Sequence, residues 1–168
     1  MAITRLGSNQ SINLANNVTG TLSAANVDTL TSSNLPTGTV LQVVNSTGTD
    51  TTVNTSTPTT VSSLSITPSS TSSKIFVIFS GHGNPGQTGG WHKMQIYRDG
   101  TGVGNLLTFE NAGGSSNNVP VVNQVLDTPS TTSSITYTTK AYQGSGSFRY
   151  GEGGDDHAVV MTAMEIKG

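Results

Sequence analysis

The side chains able to do chemistry in this 168-residue chain are few and scattered: 3 histidines, 9 acidic and 7 basic residues, and no cysteine. Asp155-Asp156-His157, close to Glu152 in a glycine-rich stretch, offers the oxygen and nitrogen donors that a divalent cation takes. Adjacent side chains in extended backbone point opposite ways, so the three cannot all aim at one ion. The plainer alternative is a solvated loop leading into a strand. His82, between Gly81 and Gly83, is the other weak metal candidate, because copies of it could meet on a symmetry axis. Serine is abundant, yet no Gly-Xaa-Ser-Xaa-Gly elbow and no His-Glu-Xaa-Xaa-His pair marks a nucleophile or a zinc site. Glu110, Glu152 and the Asp155-Asp156 pair are the only carboxylates placed for acid–base work. No catalytic residue, resident metal or cofactor is assigned, and an enzyme is not expected. The absence of cysteine excludes disulfides and thiolate chemistry.

The aromatic residues suggest binding instead. Trp91, Tyr97, Tyr142 and Tyr150 carry apolar ring faces with polar rims, a chemistry suited to stacking on sugars. The competing reading closes the end of a core with Trp91 and covers its edges with the tyrosines. Trp91 and Tyr150 border glycine-rich stretches. With His82 and Asn117 they are the candidate receptor contacts, in expected loops at 81–90, 111–118 and 151–156.

These residues must be held by strands. Ser73 to Ser80 is the one long apolar run, rich in β-branched and aromatic residues and too short for a helix. Both of its faces are apolar, Ile75/Val77/Phe79 on one and Phe76/Ile78 on the other. A similar doubled pattern marks the last segment, Val159/Met161/Ala163 against Val160/Met164/Ile166. An antiparallel strand in a lone soluble protein needs only one apolar face. Either a second layer of the same chain or a second chain must cover these strands; the second chain is the expectation, with Phe76, Ile78, Met161, Met164 and Ile166 as interface candidates.

Further strands are predicted at 39–45, 51–55, 61–67, 91–98, 103–110, 119–126, 134–142 and 148–150. Asp99-Gly100 is a hairpin signal, since both residues tolerate positive φ. No helix is expected. The pattern is that of an antiparallel all-β sandwich or barrel over 37–168. Residues 1–36 are too polar to bury a core of their own and read as an extended N-terminal arm or a flexible tail.

Composition narrows the partners. Charged residues make up 10% of the chain and the net charge is -2, so no basic stripe exists to neutralise phosphates. Neither nucleic-acid binding nor membrane insertion is expected. Met1 to Gly7 lacks the apolar core of a signal peptide.

Several stretches are similar to known proteins. Met1-Ala2-Ile3-Thr4-Arg5-Leu6-Gly7 and Asn13-Leu14-Ala15-Asn16-Asn17-Val18-Thr19-Gly20-Thr21-Leu22 resemble the N-termini of tailed-bacteriophage fibre proteins. Leu64-Ser65-Ile66-Thr67-Pro68-Ser69-Ser70-Thr71-Ser72-Ser73-Lys74, Tyr97-Arg98-Asp99-Gly100 and Met161-Thr162-Ala163-Met164-Glu165-Ile166 resemble their distal domains. The resemblance implies a homotrimer with a jelly-roll-like distal domain. Residues 1–36 would dock on other phage structural proteins, and the distal domain would meet host cell-surface polysaccharide. Such a protein is made in the cytoplasm of the bacterial host and assembled into the virion. The arm is short and has no shaft repeats, which keeps a head decoration protein as the runner-up. A carbohydrate-active or metal-dependent enzyme is the alternative of another class.

Overall fold

A computed structural model describes residues 31–48, 50–85, 90–110, 119–144, 146–151 and 159–168. The chain divides into Met1–Asn34 and Leu35–Gly168. In the first unit the described residues form one 3-10 turn, Ser32–Asn34. Asn34 N–H donates to the Thr31 carbonyl at 3.0 Å, and Thr31 N–H to Asn34 Oδ1 at 3.2 Å. The rest of the expected arm, residues 1–30, lies outside the described residues.

Among the described residues the second unit is an antiparallel β-sandwich of ten strands. They are β1 (Val40–Gly48), β2 (Thr51–Val53), β3 (Thr59–Ile66), β4 (Lys74–Pro85), β5 (Trp91–Arg98), β6 (Thr101–Glu110), β7 (Val119–Asp127), β8 (Ile135–Gln143), β9 (Phe148–Tyr150) and β10 (Val159–Ile166). Setting aside the three-residue β2 and β9, the eight long strands pair first with last. The nested pairs are β1 with β10, β3 with β8, β4 with β7 and β5 with β6. This is one long hairpin rolled up, the jelly roll. The roll alternates the pairs between sheets, giving β1-β10-β4-β7 and β3-β8-β5-β6. Beyond Ser80, β9 pairs with β4 at Gly83–Pro85, and β2 pairs with β9.

The innermost hairpin turns at Asp99-Gly100, with φ of 46° and 87°. Positive φ at both central residues matches the right-handed twist of the flanking strands, which explains the choice of residues.

Alternation sets the core. Ile75, Val77 and Phe79 of β4 and Val159, Met161 and Ala163 of β10 are fully buried between the sheets. Met161 therefore belongs to the protomer's own interior and not to an outer interface, which corrects the expectation for that residue. In a strand apolar on both faces, sequence alone does not say which set is the core. The expected loop at 81–90 also begins later, because β4 continues to Pro85. Gly81 and Gly83 are strand glycines: a Cβ on Gly81 would press on Val159, and one on Gly83 would run into the Phe148 ring.

Candidate functional site

Register brings the candidate loops to one end of the sandwich. Gly83 pairs with both Val119 and Tyr150, and Trp91 pairs with Glu110. The strand ends carrying 86–90, 111–118 and 151–158 thus lie side by side. Asn117, Glu152, Asp155, Asp156 and His157 lie outside the described residues, and so do most of these loops. Among the described residues no three His, Asp or Glu side chains gather to hold a metal. His82 stands on the outer side of β4, its carbonyl accepting the Gly151 N–H at 3.1 Å.

Beneath that end lies an aromatic half-core. Phe148 packs on Tyr150 (ring centroids 4.6 Å apart), on His92 (4.7 Å) and on Phe109 (5.3 Å), while Phe79 meets Tyr150 edge-on. Tyr150 is 1% exposed, and burial pushes its hydroxyl pKa far up. It cannot stack on a receptor, a correction to its candidacy: β9 turns it inward because its neighbour Arg149 takes the outer side.

His92 is buried here with neither ring nitrogen hydrogen-bonded, and burial lowers its pKa. Gln143, its register partner on β8, likewise has an unpaired Oε1, while its Nε2 donates to the Gly146 carbonyl. An imidazole among phenyl rings is held neutral, because charging it there has no compensating partner.

Trp91 is not in the core. It stands 39% exposed on the outer face of β3-β8-β5-β6, against the edge of Tyr142 at 6.3 Å. The Lys93 ammonium sits 4.8 Å from its ring centroid, and a Cβ on Gly144 would collide with the indole. Farther along the same face Lys140 lies 4.9 Å from the Tyr97 ring. Two aromatic–ammonium pairs among Thr, Ser and Gln can offer ring faces and hydrogen-bond donors together.

At the opposite end two polar clusters were not foreseen from the residues. Glu165 of β10 is fully buried, yet saturated with donors. Its Oε1 accepts from Ser69 N–H (2.7 Å), Ser69 Oγ (2.6 Å) and Ser73 Oγ (2.7 Å), and its Oε2 from Gln42 Nε2 (2.6 Å). Burial pushes its pKa up, but these hydrogen bonds from Ser69, Ser73 and Gln42 outweigh it and leave the carboxyl below its ordinary value. The Ser-rich turn and the closing Met-Glu-Ile, noted separately in the sequence, are two halves of one clamp.

Arg98 donates to both oxygens of Asp127 at 2.9 and 2.7 Å, and Tyr137 Oη donates to Oδ2 at 2.6 Å. Burial and then the Asp127 hydrogen bond drive the Tyr137 pKa far up. Arg98 and Tyr137 belong to one sheet and Asp127 to the other, so the triad ties the layers together. Asp99 Oδ1 accepts the Thr136 N–H at 2.9 Å beside it. A signal for these existed only as a charged residue placed where alternation demands an inward side chain.

No protein-family model and no curated sequence matches the chain. Solved structures give distant similarities. An infectious bursal disease virus VP2 subviral particle aligns with a TM-score of 0.44 and 15% identity, over 76% of this chain and 37% of that one. The Gt strain of the same virus gives 0.41 and 16%, over 76% and 38%. Dimeric latent PorU from Porphyromonas gingivalis gives 0.39 and 8%, over 79% and 14%. The chain thus spans little more than a third of the viral chains and a smaller part of PorU.

Proposed function

We propose that this chain is a structural virion protein of a tailed bacteriophage: a short trimeric tail fibre docked through residues 1–36, its β domain turned toward the host surface. The observation that carries the reading is the polarity of the sandwich, which adds to the sequence resemblance. The chain enters at Leu35–Thr39 beside its own C-terminus, where Gly38 N–H donates to the Lys167 carbonyl and Lys167 N–H to that of Thr39, both at 2.8 Å. The candidate loops leave from the other end. β4 spans 12 residues, which sets the ends about 35 Å apart at roughly 3.3 Å per residue.

A particle-bound adhesin needs this separation between anchor and contact surface. Host polysaccharide is the proposed ligand class, met by three weak sites acting together. Immunogold labelling of intact particles with an antibody against the chain tests the placement. Gold at the tail is the expected result. Gold on the head alone would overturn the fibre and leave the decoration protein in its place.

A further inference from the structure

The interface candidates Phe76, Ile78, Met164 and Ile166 lie half-buried on the outer face of β1-β10-β4-β7. A more specific feature stands at the edge of that sheet, where β7 lies beside β6. Both are edge strands: among the described residues β6 pairs only with β5, and β7 only with β4. Between them runs a cleft of about 600 Å³, within the range of small-ligand sites. β6 is irregular there. Met94 pairs with Leu107 and Ile96 with Val103, so two steps along β5 face four along β6, and Gly104-Asn105-Leu106 bulge out of the ladder. The bulge is held from several sides. Gly104 takes a φ of 69° and lies so close to Val125 that a Cβ would collide with it. Gln95 Nε2 donates to the Gly104 carbonyl at 3.2 Å. From within, Asn123 Nδ2 donates to the Met94 carbonyl at 3.3 Å and reaches that of Asn105 at 3.5 Å.

The lining carries no charge. Asn105, Thr108, Asn123 and Gln124 bring amides and a hydroxyl, while Leu106 and Val122 bring apolar walls that are 42% and 53% exposed. Asn123 itself is only 7% exposed. Its donors are spent on the bulge, whereas its Oδ1 accepts no hydrogen bond among the described residues and is not sealed from solvent. That acceptor therefore opens on the cleft that Asn123 lines, ready for a donor from whatever enters. We infer that the cleft binds a short stretch of a neutral saccharide. Ring hydroxyls would donate to Asn123 Oδ1 and exchange hydrogen bonds with the Asn105, Thr108 and Gln124 side chains. The C–H face of a ring would rest on Leu106 and Val122. A charged sugar finds no counter-ion here, so burying its charge would go uncompensated. An extended peptide fits less well, because the bulge breaks the regular edge that a strand would add to, and Pro120 removes a donor from β7. Asn123 is level with Phe79 and Leu107 with Met94, midway along their strands. The site is thus apart from the loop-bearing end and goes beyond the reading above.

The test follows the side-chain amide signals of the isotope-labelled full chain by nuclear magnetic resonance as trisaccharides are added. The neutral probes are trimers of glucose, of galactose and of N-acetylglucosamine, and a galacturonate trimer is the charged control. The Asn105, Asn123 and Gln124 amides should shift and saturate with at least one neutral trimer, and stay still with galacturonate. Gln124→Ala changes a side chain already in solvent, so it leaves the fold intact, and it is expected to weaken binding roughly tenfold. Val122→Glu puts a carboxylate on the apolar wall and is expected to abolish binding. Thr138→Ala, on the outer face of the other sheet, is expected to leave the affinity unchanged. Silence of the three amides toward every neutral trimer would overturn the inference. So would equal binding of galacturonate, or binding indifferent to both cleft variants. A response to an uncharged extended peptide alone would assign the cleft to a strand and overturn the saccharide. None of these outcomes moves the gold label on the particle, so the placement in the virion is judged separately.

Discussion

The two ends of the sandwich are held by different physics. At the end where the chain enters, the buried polar side chains Ser73 and Glu165 are partnered, and the core beneath is mainly aliphatic, Leu64, Ile66, Ile75, Val77, Ile96 and Ile135 around the single ring of Tyr137. At the loop-bearing end the core is aromatic, and His92 and Gln143 are buried with polar atoms unpaired. Ser62, whose Oγ is unpaired as well, lies midway along β3 and belongs to neither end. A buried group without a partner costs on the order of 1–3 kcal/mol. One end is therefore built for stability, and the other accepts a penalty beneath the surface proposed for binding. That division fits a protein anchored at one end and exposed to ligands at the other.

The comparison breaks first at Glu165. Glu165→Ala would leave Ser69 N–H, the Gln42 amide and the hydroxyls of Ser69 and Ser73 without their common acceptor. The expected loss is about 3–4 kcal/mol by urea unfolding. The pH dependence has a definite sign. The folded carboxyl titrates below its ordinary value of 4.5. Its contribution is complete above that pH and fades as pH falls through the lower folded value. Glu165→Gln should flatten this acid limb, and an unchanged limb would show that the clamp is not what holds this end.

Asp127 comes next. Asp127→Ala strands a fully buried Tyr137 hydroxyl and an Arg98 that is 29% exposed. The expected cost is about 2–3 kcal/mol, most of it from the tyrosine, because a part-exposed ion pair contributes little by itself. Tyr137→Phe combined with Asp127→Ala should therefore cost less than Asp127→Ala alone, because no stranded hydroxyl is left. Full additivity in the double-mutant cycle would argue against a coupled triad.

The loop-bearing end should respond in the opposite direction. His92→Leu removes two unpaired nitrogens from an aromatic cage and should stabilise the fold by about 1 kcal/mol at neutral pH. In the wild type the folded imidazole titrates below its ordinary 6.5. The unfolded chain therefore takes up a proton first, and stability falls as pH drops below about 6.5. The leucine variant should lose this limb and keep the one set by Glu165. Two separable limbs, near neutrality and in the carboxylate range, would sharpen the contrast between the ends. A single limb would merge them.

Much of the architecture could be read from residues alone. Alternation placed Ile135, Tyr137, Thr139 and Ala141 on one side of β8 and His92, Met94 and Ile96 on one side of β5, and these are the buried sets. Asp99-Gly100 gave the innermost turn, but the nesting of the other pairs, and with it the strand order, could not be read from the residues, because a sandwich and a jelly roll share one pattern. The polar anchors were hidden for a physical reason: Glu165 and Ser69 lie 96 positions apart, and only pairing of β10 with β4 brings them together. Tyr150 misled because a residue beside a glycine-rich loop reads as exposed, whereas three residues of β9 suffice to turn it inward. Gly81 and Gly83 misled in the same way, since glycine serves close packing as readily as it serves a turn.

The smallest effect concerns the outer face at the loop-bearing end. Trp91 is the chain's only tryptophan, so its fluorescence reports on that end alone. Lys93 holds its ammonium over the indole, and an exposed pair of this kind contributes roughly 0.5–1 kcal/mol. Lys93→Met should therefore shift the emission of Trp91 while moving the global midpoint by no more than that amount. If the two ends form one cooperative unit, fluorescence and far-UV circular dichroism will trace the same urea transition in this variant. In Glu165→Ala the same pair of probes asks the harder question, because the damage lies level with the far end of β5, roughly 23 Å from Trp91 at about 3.3 Å per residue. Coincident curves there would mean that the jelly roll transmits the loss of its anchor through every nested pair. A fluorescence transition lagging behind the circular dichroism would mean that the aromatic half-core holds together after the other end has opened.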